Sequence, residues 1–252
     1  WLEFRRVLFR SIEGNPESTI AEDSRFHFKP TATDEDQDTL SFTITNKPLW
    51  ATFDSETGTL SGTPDNLHVG SYHNITISAT DNLTTSTALV FDLNVTNTND
   101  SPTAIALDNN TLTENKSGTS VGALTVTDSD DKKHTLTLSG PDANQFEITN
   151  GQLRLKTHIS ANYETKSNYK VTVSATDSGQ QSFQQEFKII VLNVNDRPTI
   201  EGNPESTIAE DSRFHFKPTA NDEDQDTLSF AITNKPLWAT FDSETGTLSG
   251  TP

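Results

Sequence analysis

The chain contains no cysteine and no methionine, and only three tryptophans and three tyrosines among 252 residues. Without thiols, neither disulfides nor thiolate metal sites can hold the fold. Hydrophobic residues make up only 31% of the sequence. That disfavours one large enzyme core and favours several small β modules with thin cores. Cations are scarce as well: 18 Lys and Arg stand against 36 Asp and Glu, a formal net charge of −18. Phosphate recognition needs clustered Lys and Arg, so nucleic acid is excluded as a partner. The same charge suits cation binding and solubility in salt. No apolar run reaches the length of a membrane span, so no membrane insertion is expected, and no signal peptide is visible. The six histidines are scattered, with no His-x-x-x-His pair. Neither a Gly-x-Ser-x-Gly elbow nor a phosphate loop occurs. An enzyme is not expected.

What is there is repetition. "IEGNPESTIAEDSRFHF" begins at Ile12 and again at Ile200, an offset of 188 that holds to Pro252. Over the repeat only Thr33/Asn221 and Thr43/Ala231 differ. The preceding Trp1–Ser11, "WLEFRRVLFRS", matches nothing later; it reads as an adapter or cloning scar, with a short basic leader as the other reading. A shorter echo links "SATDNLTTSTALVFDLNVTNTNDSPT" (78–103) to "SATDSGQQSFQQEFKIIVLNVNDRPT" (174–199). These endings divide the chain into modules at 12–100 and 101–197, followed by a truncated copy of the first at 198–252. The unit is too long for a solenoid repeat and reads as a fragment of a long array.

Within the modules apolar residues alternate: Ile75, Ile77 and Ala79; Leu89, Phe91, Leu93 and Val95; Val171, Val173 and Ala175. Turn signals such as "SETG" and "TNGQ" break these runs. Period-2 patterning of this kind predicts antiparallel β-sandwiches, and no stretch carries a 3.6-residue apolar period. Trp50 and Trp238, both in "PLWATF", are expected as sandwich-core residues rather than sugar platforms. Tyr72 and Tyr163 read as structural residues at strand starts. Asn-x-Ser/Thr sequons such as those at Asn74, Asn82, Asn94, Asn109 and Asn115 read as composition.

The ending "NVNDRP" resembles the inter-domain linker of cadherins. "LTEN", "TDSD", "NYE" and "ATDSG" follow in cadherin order through 101–197, which resembles a bacterial cadherin repeat. The flanking copies, with "AEDSRFHF", "TATDEDQDTLSF" and "PLWATFDSETGTLSGTP", resemble the dystroglycan-type cadherin-like domain. Alternation of the two is similar to the repetitive region of large secreted adhesins of the RTX type. The resemblance implies an all-β chain of tandem Ig-like or cadherin-like sandwiches arranged end to end. It also implies Ca2+ at each junction, stiffening an extender that spaces a terminal adhesion domain in cell adhesion or biofilm. Neighbouring repeats, surface glycans or identical chains would be the partners, at an extracellular or bacterial cell-surface location. A carbohydrate-binding or homophilic-binding module is the alternative.

Calcium takes six to eight hard oxygens, more than one sandwich usually gathers. For the first junction the resemblance implies Glu22, Asn97, Asn99, Asp100, Asp128, Asp130 and Asp177. For the second it implies Glu114, Glu164, Asn193, Asn195, Asp196, Asp222 and Asp224. Each set holds five carboxylates, enough for about two ions. Asn97 and Asn193 stand where the cadherin pattern has Asp, and Ser101 and Arg197 where it has Asn. Ala161-Asn162 weakens the motif before Glu164. Asp34-x-Asp36-x-Asp38 begins like an EF-hand loop, but Thr39 and Thr45 replace its Gly and Glu, so that reading fails. Asp34 and Asp36 remain expected top-loop ligands of a weak or empty site.

Overall fold

A computed structural model describes residues 11–252 except Asp36, Asn82 and Leu83. Apart from Ser11, the leading segment therefore lies outside the described residues. Ser11 itself is a strand residue paired with Thr33. Contacts divide the described chain into two compact units. One runs through Ser101 and includes Asp128–Lys132; the other is Pro102–Thr127 with Lys133–Pro252.

Among the described residues the first sandwich uses nine strands: β1 (Ser11–Glu13), β2 (Thr19–Ala21), β3 (Phe26–Phe28), β4 (Thr31–Thr33), β5 (Ser41–Thr45), β6 (Ala51–Phe53), β7 (Leu60–Gly62), β8 (Gly70–Thr80) and β9 (Leu89–Thr96). One sheet has the order β2-β9-β8-β5 and the other β3-β7-β6, with β1 and β4 paired beside them. The alternating residues of β8 and β9 face inward as the pattern requires: Ile75, Ile77, Ala79, Leu93 and Val95 are buried. They meet Phe26, Phe28 and Leu60 from the opposite sheet and Phe42 from neighbouring β5. Trp50 belongs to this cluster, edge-on between Phe26 and Tyr72 with centroids 6.1 Å from each. β8 carries a bulge between Tyr72 and Ile75, where Asn74 takes φ 56°. Asp92 on β9 fixes it by accepting the Asn74 N–H at 2.8 Å. Gly58 turns the chain between β6 and β7 at φ 72°, and a Cβ there would stand 2.7 Å from the Phe42 ring. Both facts call for glycine.

The second sandwich is β10 (Ala104–Leu107), β11 (Thr111–Thr113), β12 (Ser120–Thr127), β13 (Thr135–Ser139), β14 (Phe146–Thr149), β15 (Gln152–Leu155), β16 (Asn168–Thr176) and β17 (Ser182–Leu192). Its sheets run β10-β12-β15-β14 and β11-β17-β16-β13, the strand order of an immunoglobulin-type Greek key. Both sandwiches depart from pure antiparallel pairing once: β2 joins β9, and β11 joins β17, in parallel. A first strand that switches sheets must run alongside the last one. Val171 and Val173 are fully buried, and Phe146 meets Tyr169 edge-on at 5.5 Å.

The third set contains β18 (Thr199–Glu201), β19 (Phe214–Phe216), β20 (Thr219–Asn221), β21 (Ala239–Phe241) and β22 (Leu248–Gly250). These correspond to β1, β3, β4, β6 and β7. The repeats of β2 and β5, at 207–209 and 229–233, form no strand. Their partners in the first sandwich are β9 and β8, which have no counterpart in this sequence. The core opens in consequence: Ile12 is 6% exposed, whereas its copy Ile200 is 64% exposed.

One buried charge belongs to packing. Asp142 accepts from Lys166 Nζ at 2.5 Å and from the Lys170 N–H at 2.8 Å. Burial raises its pKa, but the Lys166 hydrogen bond, the Lys170 N–H and the Lys166 charge outweigh this and hold it below the ordinary value. The folded state thus binds fewer protons, so the stabilisation is present above the unfolded value and lost as pH falls through the folded one. Asp142→Asn should destabilise the second sandwich by about 1.5–3 kcal/mol at neutral pH, the range for hydrogen bonds to a charged group. The difference from the parent chain should vanish on acidification through the carboxylate range. Denaturant melts at stepped pH test this; a pH-independent difference would remove the ion pair from the account.

Candidate metal centre

Two carboxylate clusters form where a sandwich hands the chain on. In the first, Glu22 follows β2 and is only 2% exposed. Its Oε1 accepts the N–H of linker residue Thr98 at 2.7 Å. Its Oε2 is buried and has no hydrogen-bond partner among the described residues. Further along the linker, the Asp100 N–H donates to Asp130 Oδ2 at 2.6 Å, and Asn99 Nδ2 to the Asp100 carbonyl at 3.2 Å. Asp128 shapes the loop: its Oδ1 accepts the N–H groups of Asp130 and Asp131 at 2.8 and 2.9 Å. Asn66 donates from its amide to Asp130 Oδ1 at 2.7 Å. Asn97 is exposed. Asp177 belongs to the other unit, where it is buried and accepts the Gln181 N–H at 2.8 Å.

The second cluster repeats this plan. Glu114, 1% exposed, accepts the N–H of linker residue Val194 at 2.7 Å. Its other oxygen takes the Tyr163 N–H at 2.5 Å. The Asp196 N–H donates to Asp224 Oδ2 at 2.5 Å, and Asn195 Nδ2 to the Asp196 carbonyl at 2.9 Å. Glu114, Glu164 and Asp196 can bring carboxylate oxygens within 4.8 Å of one another, as can Asp222, Asp224 and Asp226. Asp196 Oδ2 is buried without a hydrogen-bond partner among the described residues. Asn193 donates to Glu164 Oε1 at 3.1 Å.

Crowding shows in the protonation equilibria. Burial and the charges of Glu114, Glu223 and Asp224 push the Asp196 carboxyl up, against a hydrogen bond from Asn115. At Glu164 a hydrogen bond from its own backbone N–H pulls down, yet desolvation and the Glu114, Asp224 and Asp196 charges leave it raised. Like charges held this close favour a proton or a cation among them. The donors are all oxygen, from carboxylates, amides and backbone, which is the set a hard divalent ion takes. A calcium ion would be held by the glutamates and by the linker and loop aspartates, where it would supply positive charge.

The He_PIG model, described as Putative Ig domain, matches residues 11–96 and 197–252, more than half of the chain. The chain belongs to the He_PIG family. Between those two He_PIG stretches, residues 109–192 match the cadherin domain model, so a cadherin-like domain separates them. The flanking stretches, whose motifs resemble the dystroglycan-type domain, are thus He_PIG domains. Solved structures share the fold. Human CDH23 EC21-23 is 17% identical with a TM-score of 0.59, covering 95% of this chain and 90% of that one. Mouse Cadherin-23 EC22-24 is 18% identical with a TM-score of 0.56, covering 96% and 88%. The protocadherin gammaB7 EC3-6 cis-dimer structure is also 18% identical at 0.56, covering 96% of this chain; this chain spans 65% of that one. No curated protein matches.

Several residues of the He_PIG chain's clusters escape sequence reading. Asn66 carries no motif that marks it, and Asn115, though the last residue of "LTEN", is not among the expected ligands. Glu223 stands within the acidic run but outside the linker pattern; it accepts from Asn162 Nδ2 at 2.7 Å. Asp226, the third Asp of its run, repeats Asp38, whose EF-hand pattern fails at Thr39 and Thr45. Asp36 lies outside the described residues. Tyr163 falls in a turn ahead of β16; its backbone serves Glu114 and its side chain is 38% exposed.

The two buried glutamates should answer differently to amide replacement. Glu22→Gln keeps the acceptor for Thr98 and replaces an orphaned anionic oxygen, so stability in chelator should change by less than about 0.5 kcal/mol, while calcium stabilisation at the first cluster is lost. Glu114→Gln forces an NH2 group against one N–H and should cost about 1–3 kcal/mol in chelator as well. Thermal melts with and without calcium test the contrast; equal losses in chelator would refute it.

Proposed function

We propose that the chain is a calcium-stiffened spacer from the repetitive region of a bacterial surface or secreted adhesin. It would hold a terminal binding domain away from the cell in adhesion or biofilm, outside the cell. The modules at 12–100, 101–197 and 198–252 act as rods. The observation that carries the reading is the repeated cage. A buried glutamate grips the linker backbone, and the linker Asp amide meets a loop Asp, with the same plan at both clusters. Buried oxygens without partners, Glu22 Oε2 and Asp196 Oδ2, support a cation in each. The set Glu22, Asn97, Asn99, Asp100, Asp128, Asp130 and Asp177 serves one ion group; Glu114, Glu164, Asn193, Asn195, Asp196, Asp222 and Asp224 serve the other.

Without metal the carboxylates repel, and the linkers flex; bound calcium couples neighbouring repeats. Near-identity of the He_PIG copies fits this task, because a spacer module has only to stack on its neighbours. Trp50 gives no support to a sugar-binding platform, since it packs against the core between Phe26 and Tyr72, whereas its copy Trp238, expected in a core, is 37% exposed beside Phe214.

Small-angle scattering in calcium should show a longer, stiffer particle than in chelator. Calcium at a hundred times its Kd should stabilise by about 2.7 kcal/mol per independent site. Asp128→Asn with Asp130→Asn should remove calcium from the first cluster and leave the second titrating. Identical scattering in both conditions, or no calorimetric heat with calcium, would end the spacer reading.

A further inference from the structure

A side chain outside both expected ligand sets enters the first cluster. Asn66 donates from Nδ2 to Asp130 Oδ1 at 2.7 Å, while the Asp100 N–H takes Oδ2 of the same carboxylate at 2.6 Å. Each Asp130 oxygen thus meets a donor, and an ionised carboxylate oxygen has a second lone pair for another partner. Facing a carboxylate, the amide must present its NH2, because its own oxygen would meet oxygen. The connection that carries Asn66 is itself tied down. It forms the 3-10 helix Asn66–His68, where Asp65 Oδ1 accepts the Leu67 N–H at 2.9 Å. The Tyr72 hydroxyl donates to the His68 carbonyl at 2.9 Å, and Tyr72 packs edge-on against Trp50. The grip on Asp130 is therefore anchored in the first core. The second cluster has a similar contact: Asn162, in the connection ahead of β16 as Asn66 is in that ahead of β8, donates to Glu223 Oε2, beside Asp224, at 2.7 Å.

We propose that Asn66 is a positioning residue for calcium at the first cluster, holding the Asp130 carboxylate in place before the ion arrives. It raises affinity without touching the ion. The proposal rests on the calcium reading. A ligand already fixed in its binding geometry loses less freedom when the ion binds, so more of the contact energy appears as affinity. Asp128 sets the backbone of the loop by accepting the N–H groups of Asp130 and Asp131, and Asn66 sets the side chain. The donor is neutral, so it orients the anion without placing a second positive charge beside the cation, as a lysine would. One hydrogen bond does not cancel the five carboxylates of the set, so repulsion still loosens the linker without metal.

The test compares the whole chain with its Asn66→Ala variant by calcium titration calorimetry, and by amide hydrogen exchange and melting in chelator. The chain carrying Asp128→Asn and Asp130→Asn, titrated alongside, isolates the second cluster. Asn66→Ala should bind calcium at the first cluster about tenfold more weakly, the low end of what a hydrogen bond to a charged group contributes. The second cluster should stay within about a factor of two of the parent, since distant sites act independently. In chelator the Asp100 amide, which shares the Asp130 carboxylate, should exchange several-fold faster, with melting shifted by less than about 2 °C. Weaker calcium binding with unchanged Asp100 exchange would make Asn66 a ligand and overturn the positioning role. Unchanged affinity would overturn it too, while leaving the calcium reading standing. No calcium binding by the parent chain would overturn both, so the two failures are distinguishable.

Discussion

A buried carboxylate at the foot of a sandwich must be satisfied, and the linker leaving that sandwich supplies the donor. Glu22 and Glu114 are almost wholly removed from water, and each accepts a linker N–H. Burial of a charge is tolerated only where hydrogen bonds or an ion compensate it. That constraint fixes the path of the linker, and the path brings the linker aspartate to the loop aspartates. The acidic clusters follow from the glutamate rather than from acidic composition alone.

The glutamate depends in turn on the last strand. Glu22 lies beside β9 because β2 pairs with it, and its own N–H donates to the Thr96 carbonyl at 3.0 Å. Glu210 occupies the same place in an identical local sequence and is exposed. With no strand of the β9 kind beside it, nothing carries it inward. The hairpin β8–β9 therefore governs both the core and the cluster: it closes one sheet, covers the phenylalanines and delivers the linker. In the third set none of the four strands of that sheet is present among the described residues, and the phenylalanines they cover in the first sandwich lie open.

The two kinds of domain solve the same problem with different side chains. At the first cluster Glu22 leaves an oxygen with no hydrogen-bond partner, whereas Glu114 uses both of its oxygens on N–H groups. Around the second, amides of Asn115, Asn162 and Asn193 donate to Asp196, Glu223 and Glu164. Amides there replace charges that would add to repulsion. Desolvation and like charges still hold Asp196 and Glu164 up, so the amides moderate the crowding without removing it.

The sequence by itself determined the all-β class, the inward faces of the long strands and the division into repeating parts. All three follow from local rules: alternation, turn residues and self-similarity act within a few residues or can be counted along the chain. It also pointed to the glutamates and linker aspartates through their resemblance to cadherin linkers. Tertiary structure alone decided whether a given segment used its propensity. Ser41–Thr45 is a strand, whereas 229–233, differing only at Ala231, is not, because a strand exists only where a neighbour accepts its hydrogen bonds. It also decided that Glu22 is buried while Glu210 is exposed, and that Asn66, Asn115 and Glu223 join the clusters. Such contacts depend on how distant segments fold together, which no local pattern encodes.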